Sequence, residues 1–263
     1  MDVKLEPHQV KAIKEMKNGC ILKGGVGVGK SHTAIGYFFL KVAQGHFTNG
    51  GTGEVLPFKT PKDLYILTTA KKRDDLDWEG VCIQFGLGRD PEVSFGGVKV
   101  TVDSWNNVHR YVDVKSAFFI FDEQRVVGSG AWSKSFMKIS KANEWVLLSA
   151  TPGDTWMDYI PVFVANGFYK NPTEFKQNHV IWNRFAKFPK VDRFVDTGKL
   201  IRYRRSIEVE MPYSRHTKRH LRTLPVDFDP VLLEKVEKKR WHIYEDRPIR
   251  DIGELYLVMR KLV

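Results

Sequence analysis

Gly24 to Ser31 read GGVGVGKS and satisfy the spacing G-x-x-x-x-G-K-[S/T]. Residues of these types in this order suit one task, the wrapping of a polyphosphate. Gly24, Gly25, Gly27 and Gly29, with Val26 and Val28 between them, let the main chain come close to an anion and curl round it. Backbone N–H groups at a helix N-terminus then face the phosphates. Lys30 adds a mobile positive charge for the outer phosphates, the Ser31 hydroxyl is placed to ligate Mg²⁺, and His32 extends the expected contact set. Hydrolysis needs carboxylates as well. Asp122 and Glu123 follow the apolar run AFFIF, so both should emerge at the end of a buried strand facing the nucleotide. Asp122 would hold Mg²⁺ through its water shell and Glu123 would act as the base for the attacking water. After a strand alone, two carboxylates are commonly a solvated end; downstream of a phosphate loop they are the second requirement of an ATPase.

The elements that must position these residues follow from periodicity. LEPHQVKAIKEM, with Leu5, Val10, Ile13 and Met16 apolar and Pro7 near its start, predicts a short amphipathic helix. Gly19 to Lys23 reads as the strand before the phosphate loop and His32 to Val42 as the helix after it. Further strands are predicted at Leu64 to Thr68, Val98 to Val102, Phe118 to Phe121 and Trp145 to Ser149, with a helix beginning in KKRDDLDWEG. Unbroken apolar strands alternating with helices indicate a mainly parallel sheet with helices on both faces, an α/β fold in which ligands gather at the carboxyl ends of the strands. Gly45 to Lys62, with its Asn49-Gly50 turn signal, reads as an exposed loop insertion. Beyond Pro152 the chain reads as helical and aromatic, and Trp156, Tyr159, Phe163, Phe168, Tyr169, Phe175, Trp182 and Phe185 are expected to pack helices onto the sheet rather than stack on bases. Val231 to Tyr244 and Asp251 to Val263 read as helices, the second opened by Asp251 and Glu254 as a capping box.

The formal charge is +11, from 42 Lys and Arg against 31 Asp and Glu, an excess that favours a polyanionic partner. Lys199 to Arg222 is the densest basic stretch, either a phosphate-binding segment or a solvated linker. His216 and His220 are one helical turn apart, but Arg215, Lys218 and Arg219 around them would repel a metal. Cys20 and Cys82 lie outside any metal or redox pattern and read as reduced thiols. No apolar run reaches membrane-spanning length, and the charged N-terminus lacks a signal-peptide core, so the expected location is the cytoplasm, the host's if the protein is viral.

Gln9, the phosphate loop, FDEQ at Phe121 to Gln124 and SAT at Ser149 to Thr151 stand in the order and approximate spacing of superfamily-two helicases and translocases. From about Leu5 to about Arg222 the chain resembles the first RecA-like domain of that family, in the manner of bacteriophage DNA helicases and Swi/Snf-type translocases. That resemblance implies a RecA-like P-loop NTPase domain over residues 1–210, with a possible insertion at 45–62, and a basic, helical linker over 211–263 leading to a second RecA-like domain outside this chain. It implies that Gln9 reads the adenine edge, that Thr69, Lys71 and Lys72 contact the backbone of a tracked strand, and that Ser104 and Trp105 belong to a further strand-contact motif. Trp78 matches a tryptophan frequent in the translocases. Ser149, Ala150 and Thr151 would couple the nucleotide and nucleic-acid sites.

The family's acidic box ends in Ala-His or Ala-Asp, whereas this chain has Gln124-Arg125, which alters the coupling contact at that position. The expected ligands are ATP and Mg²⁺, and the expected partner is nucleic acid, DNA ahead of RNA. The arginine finger of a second domain would be missing, so hydrolysis by this chain alone should be weak. Two other functions fit part of the pattern: a P-loop binding module that does not hydrolyse ATP, and another P-loop motor such as a packaging ATPase.

Overall fold

The computed structural model describes residues 3–47, 56–122, 130–212 and 227–262. The chain divides into two compact units, Met1–Ser214 and Arg215–Val263.

In the first unit the chain runs α1 (Pro7–Glu15), β1 (Ile21–Lys23), α2 (Lys30–Tyr37), a wide helical turn (Phe38–Val42), β2 (Leu64–Thr68), α3 (Ala70–Asp74), α4 (Asp77–Gln84) and β3 (Val100–Ser104). It continues through β4 (Phe118–Asp122), α5 (Ala131–Ala142), β5 (Glu144–Ser149), α6 (Ile160–Ala165), α7 (Pro172–His179), β6 (Val180–Trp182), β7 (Val191–Phe194), α8 (Thr197–Ile207) and β8 (Glu208–Glu210). Six strands form one sheet in the order β3-β2-β4-β5-β1-β8. Every pairing in it is parallel.

Both faces of the sheet are buried, and the alternation is visible within β4. Phe118 and Ile120 join Leu22, Ile66, Leu148 and the helices α1, α2 and α4 in one apolar layer. Phe119 and Phe121 join Leu67, Trp145, Leu147 and residues of α5, α6 and α8 in the other. The unbroken apolar reading of this strand therefore reflects two cores, one on each side.

Several expectations need correction. The strand expected at Val98 to Val102 lies two residues later, and the helix after β2 breaks at Leu76, whose φ of 57° is left-handed. The basic stretch beginning at Lys199 is no solvated linker over its described part: it forms α8, with Leu200 and Ile207 buried, and then the edge strand β8. The insertion is not simply exposed. Phe47 is buried, and Phe58 packs edge-on against Phe39 and Phe95 with centroids 4.7 and 4.9 Å apart. The region after Pro152 also contains the antiparallel β6–β7 hairpin.

Cys20 and Cys82 are free and buried, and burial pushes their thiols up to about 11 and about 12. No helix among the described residues is long and apolar enough to cross a membrane.

The second unit contains α9 (Pro230–Glu237), a short hairpin of β9 (Trp241–His242) and β10 (Arg247–Pro248), and α10 (Ile252–Lys261), around Val236, Leu255 and Val258. The helix expected through Tyr244 thus ends at Glu237. Asp251 caps α10 by accepting from the Glu254 N–H at 2.9 Å, but the Glu254 carboxylate returns to the N–H of Arg250 rather than Asp251. His242, Glu245 and Glu254 approach one another closely enough to suggest a metal site. The Arg247 guanidinium bonds both carboxylates and supplies the cation there, drawing Glu254 down to about 2.

Candidate nucleotide-binding site

Parallel register places the functional segments side by side. Lys23 at the end of β1 pairs with Ser149 at the end of β5, and Asp122 at the end of β4 pairs with Leu148. The phosphate loop, Asp122 and the Ser149–Thr151 segment therefore leave the same edge of the sheet. A bond from the Gly24 N–H to the Ser149 carbonyl, 3.2 Å, ties the first to the third. The Ser149 hydroxyl in turn accepts from the Thr151 N–H at 3.1 Å, while Ala150 and Thr151 are exposed.

Beside this edge lies a cleft of about 390 Å³ lined by Gly27, Gly29, Lys30, Ser31, His32 and Val26 of the loop and helix. Lys72, Asp77, Trp78, Val81 and Asp122 close it from the other side. The glycines bend as an anion cradle requires: Gly27 and Gly29 have φ of 81° and 80°, and a side chain on Gly25 would come no closer than 3.8 Å to any residue beyond its two chain neighbours. Lys30 folds over the loop, its Nζ donating to the Gly24 and Gly25 carbonyls at 2.8 Å each. His32 bonds Gln84 of α4 at 3.1 Å.

α1 braces the loop. It begins with a capping box between Glu6 and Gln9, the Glu6 N–H donating to Gln9 Oε1 at 2.8 Å. Gly36 lets it lie close on α2, since a side chain there would meet Ile13 at 2.9 Å. Gln9 then donates from Nε2 to the Gly29 carbonyl at 3.3 Å, and His8 from Nε2 to the Val28 carbonyl at 3.1 Å. Gln9, expected at the adenine edge, has its amide oxygen and one N–H engaged with the protein. His8 escaped the sequence reading altogether; its position next to Gln9 was the available signal.

Asp122 is 1% exposed, and three donors converge on its Oδ2: the Thr68 hydroxyl at 2.8 Å, the Trp78 indole N–H at 3.0 Å and Lys72 Nζ at 3.1 Å. A buried carboxylate needs this company, because desolvating it without donors and an opposing charge would cost several kcal/mol, on the order of what a small domain has in reserve. Lys72 is thereby placed in the cleft. Thr69, its neighbour, accepts the Lys72 N–H to cap α3, and Lys71 is exposed.

Ser104 and Trp105 are 2% and 3% exposed, so the expectation that they touch nucleic acid does not fit their burial. Trp105 instead donates its indole N–H to the Asp122 carbonyl at 3.0 Å and packs on Phe121 at 5.3 Å between centroids. Its near neighbour Asp103 was missed. The Asp103 carboxylate gathers Tyr111 at 2.7 Å, Asn107 at 2.9 Å, Arg73 at 3.3 Å and the N–H of the adjacent Ser104 at 2.7 Å. Burial pushes this group up, and those donors outweigh it, holding the carboxyl below its ordinary value. Glu123, Gln124 and Arg125, and likewise His216 and His220, lie outside the described residues.

No protein-family profile matches the sequence, and no curated relative matches it. Solved structures do. A Sulfolobus solfataricus SWI2/SNF2 ATPase core in complex with dsDNA superposes with a TM-score of 0.57 at 14% identity, over 99% of this chain and 58% of that one. The chain has a RecA-like fold. A Sulfolobus solfataricus SWI2/SNF2 ATPase core domain gives 0.55 at 14% identity, over 100% of this chain and 57% of that one. A Pyrococcus furiosus Hef helicase domain aligns at 0.42 and 17% identity over 61% of this chain and 35% of that one. The RecA-like chain thus spans a little over half the length of the SWI2/SNF2 cores it resembles.

Proposed function

We propose that this chain is the ATP-binding motor domain of a nucleic-acid helicase or translocase that acts on DNA. The observation that carries the reading is the buried Asp122 carboxylate lining the same cleft as Gly29, Lys30 and Ser31. A conformationally permissive glycine loop, a mobile ammonium, a hydroxyl and a fixed carboxylate are the donor set that a magnesium nucleotide requires.

The loop amides of Gly25 to Ser31 would hold the phosphates, and Lys30 would exchange the Gly24 and Gly25 carbonyls for phosphate oxygens. Ser31 would ligate Mg²⁺ directly and Asp122 through water. Ser31 and Asp122 would hold Mg²⁺, whose charge would serve to neutralise the phosphates during transfer. Trp78, Thr68 and Lys72 orient Asp122 by bonding Oδ2, and Oδ1 would be left for the metal's water shell. Glu123, the next residue in the chain, is the assigned base. Gln9 and His8 hold the loop from behind. The Gly24–Ser149 bond gives a direct route from the phosphates to the Ser149–Thr151 segment.

The DNA reading is supported by the net charge of +11 and by the dsDNA in the complex of the archaeal relative. A second RecA-like domain would complete the site with an arginine, worth three to five orders of magnitude in rate in related phosphate-transfer enzymes.

Calorimetric titration of ATP with Mg²⁺ tests the reading. The parent chain should bind, and Lys30→Ala should bind at least about tenfold more weakly, as removal of a charge-assisted bond implies. Equal affinity in the two would remove Lys30 from the site. Binding without DNA-stimulated turnover in the protein supplied with its second domain would favour the non-hydrolysing module.

A further inference from the structure

The aromatic residues expected to pack onto the sheet divide into two groups. Tyr159, Phe163, Tyr169 and Phe175 are buried as expected. Trp182 and Phe185 are not: they sit on the β6–β7 hairpin, with Phe185 100% exposed and Phe188, three residues on, 75% exposed. Rings this exposed gain little from the core of this fold and are available to a partner.

The hairpin is anchored at its base. His179, the last residue of α7, is buried and bonds Val195 twice: its backbone carbonyl accepts the Val195 N–H at 2.9 Å, and its Nδ1 donates to the Val195 carbonyl at 3.0 Å. The Tyr169 hydroxyl fixes the ring from the far side at 2.6 Å. Both feet of the hairpin are thus clasped by one residue. At the tip, the Asn183 N–H donates to the Lys190 carbonyl at 2.8 Å, and the Asn183 side chain accepts the Phe185 N–H at 2.9 Å. The exposed rings are carried by an ordered turn on a fixed stem.

Charge supplies the second observation. Between Val180 and Val195 the sequence is VIWNRFAKFPKVDRFV, with Arg184, Lys187, Lys190 and Arg193 exposed and Asp192 the sole acid. From Trp182 to Lys190 single rings alternate with single cations, and Lys187 Nζ stands 6.0 Å from the centre of the Phe188 ring. A single nucleic-acid strand has the matching alternation of phosphate and flat base, and platforms of this composition bind it through stacking and charge together.

We infer that the β6–β7 hairpin is a single-strand platform, on which Phe185 and Phe188 stack against bases while Arg184, Lys187, Lys190 and Arg193 meet phosphates. The inference rests on the reading of the chain as a nucleic-acid motor and gives that motor a binding element outside the segments that the family resemblance points to. Recognition of this kind is tolerant of sequence. The base of β7 also adjoins the segment after Thr151: Phe194 shares a small cavity with Thr155, Trp156 and Arg204, and the Arg204 guanidinium lies 5.2 Å from the Trp156 ring centre.

The test is fluorescence anisotropy of the full chain with labelled single-stranded oligo(dT), an RNA oligomer of equal length, and duplex DNA. Phe185→Ala combined with Phe188→Ala should weaken single-strand binding by about thirtyfold or more, in line with the loss of one stacked base per ring. Lys187→Ala with Lys190→Ala should flatten the salt dependence by roughly 0.7 in log–log slope for each phosphate that is no longer neutralised. All four side chains are exposed, so the variants should melt like the parent and bind ATP equally. Unchanged single-strand affinity in the double phenylalanine variant would overturn the platform and leave the rings to a protein or lipid partner, while ATP binding and the motor reading stood. A parent chain that binds ATP but no single strand would overturn the platform as well. Failure of ATP binding with intact, ring-dependent strand binding would instead sink the motor reading and keep the platform.

Discussion

Lys72 and Asp122 form a 3.1 Å ion pair in which the carboxylate is 2% and the ammonium 27% exposed. The pair joins the first turns after β2 to the end of β4, so the floor of the candidate nucleotide cleft is built from two strands at once. A role of Lys72 in holding Asp122 would show in folding stability and in the cleft, and a role on a nucleic-acid strand would show in strand affinity.

A double-mutant cycle separates these roles. Lys72→Met keeps the alkyl stem and removes the charge, and Asp122→Asn removes the opposing one. The coupling between them should be about 0.5 to 3 kcal/mol in urea unfolding, the range for directly interacting partners. The lower half of that range is the better expectation, because Lys72 keeps partial contact with water and Asp122 has two other donors. Additive effects would show that the two side chains act independently.

How much of this arrangement was readable beforehand varies by residue, for physical reasons. The phosphate loop was plain because the φ of 81° at Gly27 and 80° at Gly29 leaves the residue type little choice. β4 was plain because a strand buried on both sides must be apolar throughout, which FFIF is. β6, β7 and β8, of three, four and three residues, are too short for a period of two to stand out, and β8 lay within a basic run. Asp103 was overlooked although it stands near the end of a strand close to the cleft, as Asp122 does. Its partners Arg73 and Tyr111 come from separate turns that only the fold brings together. Trp78 was noticed through the family resemblance alone, and its bond to Asp122 depends on the left-handed turn at Leu76 that starts α4.

Asp103 leads to a prediction about acid stability. Its folded-state carboxyl lies below the ordinary value because Asn107, Tyr111, Ser104 and Arg73 donors outweigh the effect of burial. A group depressed in this way contributes stability that is fully present above its unfolded value, about pH 4, and is lost as the pH falls below it toward the folded value. Thermal melts between pH 7 and pH 3 should therefore show a steeper acid-side decline in the parent than in Asp103→Asn. Parallel curves would mean that the ionised form gains nothing from its four donors. The Tyr111 hydroxyl, raised by burial and by its bond to Asp103, should titrate only at alkaline extremes.

Gly29 and Gln9 offer the sharpest test of how α1 supports the loop. A side chain on Gly29 faces two separate obstacles: a left-handed φ of 80°, and an approach of 2.1 Å to Gln9 Nε2. The first costs about 1 to 2 kcal/mol for a residue other than glycine and cannot be relieved by a neighbour. The second can. Gly29→Ala should lower stability and nucleotide affinity together, because the strained residue is the one that turns the loop into α2. Adding Gln9→Ala removes the clash but also the bond to the Gly29 carbonyl and half of the Glu6 capping box, which by themselves should cost about 1 kcal/mol each. If steric conflict dominates, the Gly29→Ala, Gln9→Ala double variant should be less destabilised in urea than the two single variants predict by addition, by about 1 kcal/mol or more. If backbone strain dominates, the two costs should simply add, and ATP affinity in the double variant should stay as low as in Gly29→Ala.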